Sequence, residues 1–334
     1  MQLTLLDKIN YGNVALIIIS SVIAIIFPFE LFLFSYAILG PLHYLTEVSW
    51  LHNKQYYTKK KYDFSLLVVL SLLIALPVLG MLLHFKSGLS SNNINQLMYL
   101  AVTASVIFVF VKKIIYRVLA FAIAIFTIKF SGSMYLILSV FLPTLIHVFL
   151  FTALFMLYGA LKTKSKSGYI SFWTMIIFPV LLIAVFSGYT NYSISDYGLN
   201  AYKSFEAINF FSLKQFSNID TSTSETITQG IYFSKSGIIL MRFIAFAYTY
   251  HYLNWFSKTE VIQWHKVPKT RLLIILILWM ASISAYAFDY KTGFQCLFFL
   301  SFLHVLLELP LNIVSIKGII FELFNYSNKK IPAK

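Results

Sequence analysis

Apolar residues fill long unbroken runs of this chain, and polar residues are confined to the breaks between them. Ten runs can be traced: Val14–Phe27, Leu31–Leu51, Phe64–Phe85, Leu97–Val111, Val118–Ile128, Met134–Leu161, Ile170–Phe186, Ile231–Phe256, Leu272–Phe288 and Phe294–Ile316. Several reach the roughly 20 residues an α-helix needs to cross a bilayer. The pattern predicts an all-α, polytopic membrane helix bundle with about ten transmembrane helices, in one integral-membrane domain over residues 1–334. The weakest break is Lys112-Lys113 with Arg117, which has neither Gly nor Pro at its turn. There a hairpin competes with one long tilted helix. One segment, about 187–229, is long and polar, and its length favours order or function over a structureless connection.

Composition agrees with the pattern. The chain is 59% hydrophobic and 11% charged, with mean hydropathy +0.78; soluble domains are about a quarter charged. The net charge of +14 does not mark a nucleic-acid binder, because Lys and Arg fall in short clusters between the runs. With ten crossings and both termini cytoplasmic, every such cluster lies on one side, as the positive-inside rule requires. Segment 187–229 is then extracytoplasmic, and a bacterial inner membrane is the expected location. Cys296 is the single cysteine, which excludes an intrachain disulfide and a cysteine metal cluster. No small-residue cleavage site follows the first run, so that run is read as a retained helix.

The chemistry lies in the few ionisable residues inside the runs. Gly40-Pro41-Leu42-His43 continues to Glu47, so a histidine and a carboxylate share one helix face, a turn apart. His304 and Glu308 repeat the arrangement in the last run. The expected topology brings these four to the depth of His147 and His251, in a slab about 10–15 Å thick. Charges in hydrocarbon mark functional sites by default. Imidazole and carboxylate from several helices suit a first-row divalent metal: Fe(II) where positions stay open to oxygen, zinc where a tetrahedral set closes. His43, His147, His251 and His304 are the candidate metal ligands, and Glu47 and Glu308 the candidate catalytic groups that orient or complete the shell.

Each element has a plainer reading. A lone histidine in a membrane helix is commonly a helix–helix hydrogen-bond partner, and a His/Glu pair can neutralise itself. His52 and His84 fall at run edges and His265 in a loop. Arg242 sits mid-run without an acidic neighbour, which leaves a substrate anion or one of the two glutamates as its partner. The seven histidines include none of the paired boxes of membrane desaturases.

With Pro41-Leu42-His43 and Glu47, Pro143 before His147, and Tyr250-His251-Tyr252 in place, the chain resembles the Brp/Blh family. These are membrane β-carotene 15,15′-dioxygenases that form retinal using histidine-held iron. The resemblance implies iron at His43, His147 and His251, with His304 completing the set, and a carotenoid substrate. It departs from the family where Tyr44-Leu45 replaces Gly-Ala, Glu47 replaces Asp, and Trp255 stands where a second late histidine is expected. The sequence thus favours a membrane-embedded non-haem iron oxygenase acting on an apolar carotenoid- or lipid-like molecule from the bilayer. A proton-coupled carrier using the same His/Glu cluster, and a non-catalytic membrane scaffold, remain alternatives, and oligomeric state is open.

Overall fold

A computed structural model describes residues 3–55, 58, 60, 62–188, 192–217, 220 and 222–329. The described residues are helical, with no strand among them. Among the described residues nine helices are long and apolar enough to cross a membrane: α1 (Leu5–Ile26), α2 (Pro28–Asn53), α3 (Asp63–Leu83), α4 (Ser91–Phe110), α5 (Ile114–Met134), α6 (Leu136–Thr163), α7 (Lys166–Phe186), and two late ones, Lys269–Phe288 and Tyr290–Phe324. A tenth arises if the bent pair Ser224–Phe233 and Lys235–Ser257 forms one span. In the polar segment α8 (Asp196–Tyr202) and α9 (Glu206–Phe216) precede that pair, numbered α10 (Ser224–Phe233) and α11 (Lys235–Ser257). The last two helices are α12 (Lys269–Phe288) and α13 (Tyr290–Lys329).

The weak break resolves as a hairpin. Val111 adopts extended backbone between α4 and α5. Arg117 donates from Nε to the Val111 carbonyl at 2.8 Å, which holds the turn. Its guanidinium grips Asp63 with two bonds of 2.7 and 3.0 Å, fastening the hairpin to α3. The run Ile231–Phe256, continuous by hydropathy, instead bends by 60°. Ser234 is extended, and its hydroxyl accepts from the Gly237 amide to start α11.

Helices α11 and α13 are the most enclosed of the late helices and pack against the early ones. The bundle exterior is apolar, as lipid contact requires: Phe126, Val180 and Ile277 are all exposed. Basic and polar helix ends meet at one end of the bundle. Arg271 donates to Asn53 at 2.9 Å, Asn10 to Ser167 at 3.0 Å, and Trp50 to the Ile262 carbonyl at 3.0 Å. At the other end the polar segment docks on α2, where the Glu30 carboxylate accepts from Tyr192 at 2.6 Å.

Candidate metal centre

Two of the four histidine-bearing helices are locally unwound beside their histidine. In α2 a π-helical turn, Ser35–Leu39, runs into Gly40-Pro41 just before His43. In α6 the stretch Leu136–Phe151 is π-helical around Pro143, and Thr144 leaves the helical region at φ −120°, ψ −107°. Proline lacks the amide donor and crowds the carbonyl four residues back, so the turn widens there. Such bulges redirect side chains and cluster at functional sites. Here they precede His43 and His147, the inward-pointing residues of their helices.

His43 (α2), His147 (α6), His251 (α11) and His304 (α13) are all buried, from 1% to 7% exposed. Their donor nitrogens lie within 4.8 Å of one another. Nε2 of His43 is 3.1 Å from Nε2 of His251, and Nε2 of His147 is 3.1 Å from Nε2 of His304. Such a contact is either an N–H···N bond or two lone pairs facing one cation. With metal–nitrogen bonds of about 2.0–2.1 Å, neighbouring ligand atoms stand ~3.0–3.4 Å apart and opposed ones ~4 Å. The two 3.1 Å pairs match neighbouring ligands, and the 4.8 Å outer limit is wider than opposed ones, so the rings would draw in slightly to close on an ion; this buried four-histidine cluster can hold a metal ion.

Around the cluster, Thr152 Oγ1 lies 2.8 Å from His251 Nδ1. With Nδ1–H donated to that hydroxyl, the Nε2 lone pair is left facing the centre. Glu308 Oε2 approaches His147 Nδ1 at 3.0 Å, on the ring edge away from His304. Glu47 Oε2 is 3.1 Å from His43 Nε2, the same nitrogen that faces His251, so this carboxylate stands beside the centre. Neither contact has hydrogen-bond geometry, and both carboxylate oxygens are buried without a donor. A bare carboxylate oxygen is costly in such surroundings, and a cation among the four nitrogens would offset that cost. Tyr44 stacks on His304 at 5.6 Å, and the Trp255 edge meets His43 at 5.5 Å while its Nε1 donates to Thr46 at 2.9 Å.

The cluster divides two cavities. One, of about 280 Å³, has His147 and His304 in its wall together with Phe32, Tyr36, Tyr248 and Phe294; Phe205, Ile208 and Phe211 of the polar segment cover it. The other, of about 450 Å³, opens toward the basic end and is lined by His43, Glu47, His251 and Glu308 with Trp50, Asn254 and Lys258.

All six residues singled out in the sequence therefore meet. His52 and His84 are exposed at helix ends and His265 lies in the loop after α11; none joins the cluster. Arg242, for which the sequence offered a substrate anion or a glutamate as partner, bonds two helix ends. Its Nε donates to the Ile25 carbonyl and its Nη1 to the Phe186 carbonyl, both at 3.1 Å, so it binds the C-terminal ends of α1 and α7, where helix dipoles favour a cation. Thr152 went unnoticed in the sequence; it lies five residues past His147, a spacing that comes round near the same face only because the helix is π-helical there.

No protein-family model matches the chain, and comparisons with curated proteins and with solved structures give no match either.

Proposed function

We propose that this protein is a membrane-embedded, non-haem iron oxygenase that acts on a long carotenoid- or lipid-like chain. The observation that carries the reading is four buried histidines with ligand nitrogens within 4.8 Å of one another, between two cavities in a bundle whose exterior is apolar. A structural zinc site is closed by its ligands. Four imidazoles with free volume on either side leave room for further ligands, and Fe(II) held there would supply oxygen activation. The chain's own residues then do the rest. Aromatic side chains of the 280 Å³ cavity hold an apolar chain against His147 and His304. Thr152 fixes the ring of His251, and Glu308 and Glu47 each hold a negative charge or a proton beside the ring of His147 or His43. Phe205 and Phe211 keep water from the aromatic side. The basic end faces the cytoplasm by the charge rule.

Metal analysis of purified protein tests this directly. About one iron per chain is expected, lost in His43→Ala and His304→Ala while helical content is kept. Thr152→Val should weaken metal binding about 10–100-fold. Co-expression in a carotene-producing host separates the two substrate classes: bleached pigment marks a carotenoid substrate, and unbleached pigment with iron bound marks a lipid-like one. Absence of metal from wild-type protein purified under iron-replete conditions would refute the reading.

One observation favours a second reading: cavities on both sides of the cluster also suit a cation or proton path. A carrier would show pH-dependent flux in proteoliposomes, abolished by Glu47→Gln, without tightly held iron.

A further inference from the structure

The two cavities lie in succession along α13. Phe294, Phe298 and Phe302 line the aromatic one, His304 stands at the divide, and Glu308 and Ser315 line the other. Phe294 to Ser315 is about 30 Å at 1.5 Å per residue, so His304 sits near the middle of the stretch of α13 that lines the two cavities. Volumes of about 280 and 450 Å³ on either side of the divide suit one extended chain better than the two acyl chains of a membrane lipid. The ends differ in charge. No Lys, Arg, Asp or Glu lines the aromatic cavity, whereas Lys162 and Lys258 line the mouth of the other.

Basic residues at a membrane edge ordinarily snorkel to water or lipid headgroups. Lys258 does otherwise, since it faces the cavity that leads to the histidines. Neither lysine forms an ion pair with a carboxylate among the described residues; Lys162 lies over the Tyr158 ring at 5.9 Å. Glu47 and Glu308 wall the same cavity further in, and neither carboxyl offers an anion a cationic partner there.

Resting on the oxygenase reading, we infer that the substrate is a single-chain amphiphile with a carboxylate head. The head is held by Lys162 and Lys258, and the chain passes the four histidines into the aromatic cavity. Lys258 follows His251 by seven residues on one helix, so the chain meets the centre ~10 Å from the head.

The test uses full-length protein in neutral detergent and two probes, fluorescent cis-parinaric acid and its methyl ester. Wild-type protein should bind the acid at least about tenfold more tightly than the ester, a difference of ~1.4 kcal/mol. Lys162→Met/Lys258→Met should bring the two within about twofold by weakening the acid alone, and Lys258→Arg should keep the preference. Equal binding by wild type, no binding of either probe, or a preference that survives the double substitution overturns the inference. Metal content of each sample separates this from the oxygenase reading. Preference without metal keeps the headgroup site and sinks the iron centre; metal without preference does the reverse.

Discussion

Lys258 caps α11 in a place where its charge is costly. Burial pushes its ammonium down from the ordinary 10.5 to about 8. Below pH 8 both folded and unfolded chains carry the proton, and the whole cost of the buried charge bears on the fold. Between about 8 and 10.5 the unfolded chain binds more protons than the folded one, so this group makes stability rise with pH. Lys258→Met should therefore unfold at a higher temperature than wild type at pH 7, and the gap should close as pH is raised through that window. A gap constant from pH 7 to 10.5 would show that the ammonium is not desolvated. A lysine retained at such a cost is what the headgroup site requires. Sequence reading found the histidines and glutamates because ionisable residues stand out against an apolar background. It passed over Lys258, which looks like any loop lysine until the cavity behind it is seen. It left Arg242 open because the Ile25 and Phe186 carbonyls it binds are marked by no sequence pattern.

Helix boundaries were legible where apolar runs end in charge, and illegible where backbone geometry alone decides. The bend before α11 is of the second kind. A Cβ on Gly237 would come within 2.3 Å of the Gly230 and Ile231 carbonyl oxygens, so α10 approaches α11 more closely there than a side chain allows. The α4–α5 hairpin lies between the two cases: its charges were visible in the sequence, but the Asp63 that anchors them is about fifty residues away. That pair is buried, with Asp63 7% and Arg117 4% exposed. Removing one member strands the other charge, which costs roughly 3–5 kcal/mol, while replacing both by apolar residues is often neutral. Arg117→Leu is accordingly expected to lower the thermal midpoint strongly. Asp63→Leu/Arg117→Leu should recover most of the loss, with metal content unchanged in both because the hairpin is remote from the histidines. A double variant as unstable as the single one would place the hairpin's stability in the Nε bond to Val111 instead.

At the scale of the molecule, the candidate metal ligands come from four helices spread over some 260 positions of sequence, from His43 to His304. Their shared depth followed from counting crossings, since each crossing fixes the direction of the next. Their convergence on one point did not, because helix rotation and the bulges at Ser35–Leu39 and Pro143 set it. An ion bound there ties α2, α6, α11 and α13 together, and an unfolded chain cannot reproduce the site. Binding only the folded state stabilises it by RT ln(1 + [L]/Kd), about 2.7 kcal/mol when free metal is 100 times Kd. Chelation should lower the thermal midpoint of the wild-type protein, and metal restored should raise it again in proportion to the logarithm of its concentration. His304→Ala should be insensitive to both treatments. If wild-type protein ignored chelator and added iron, cobalt and zinc alike, the four rings would be packing against one another through N–H···N bonds. The two 3.1 Å contacts would then describe a proton-sharing joint between helices and not a metal site.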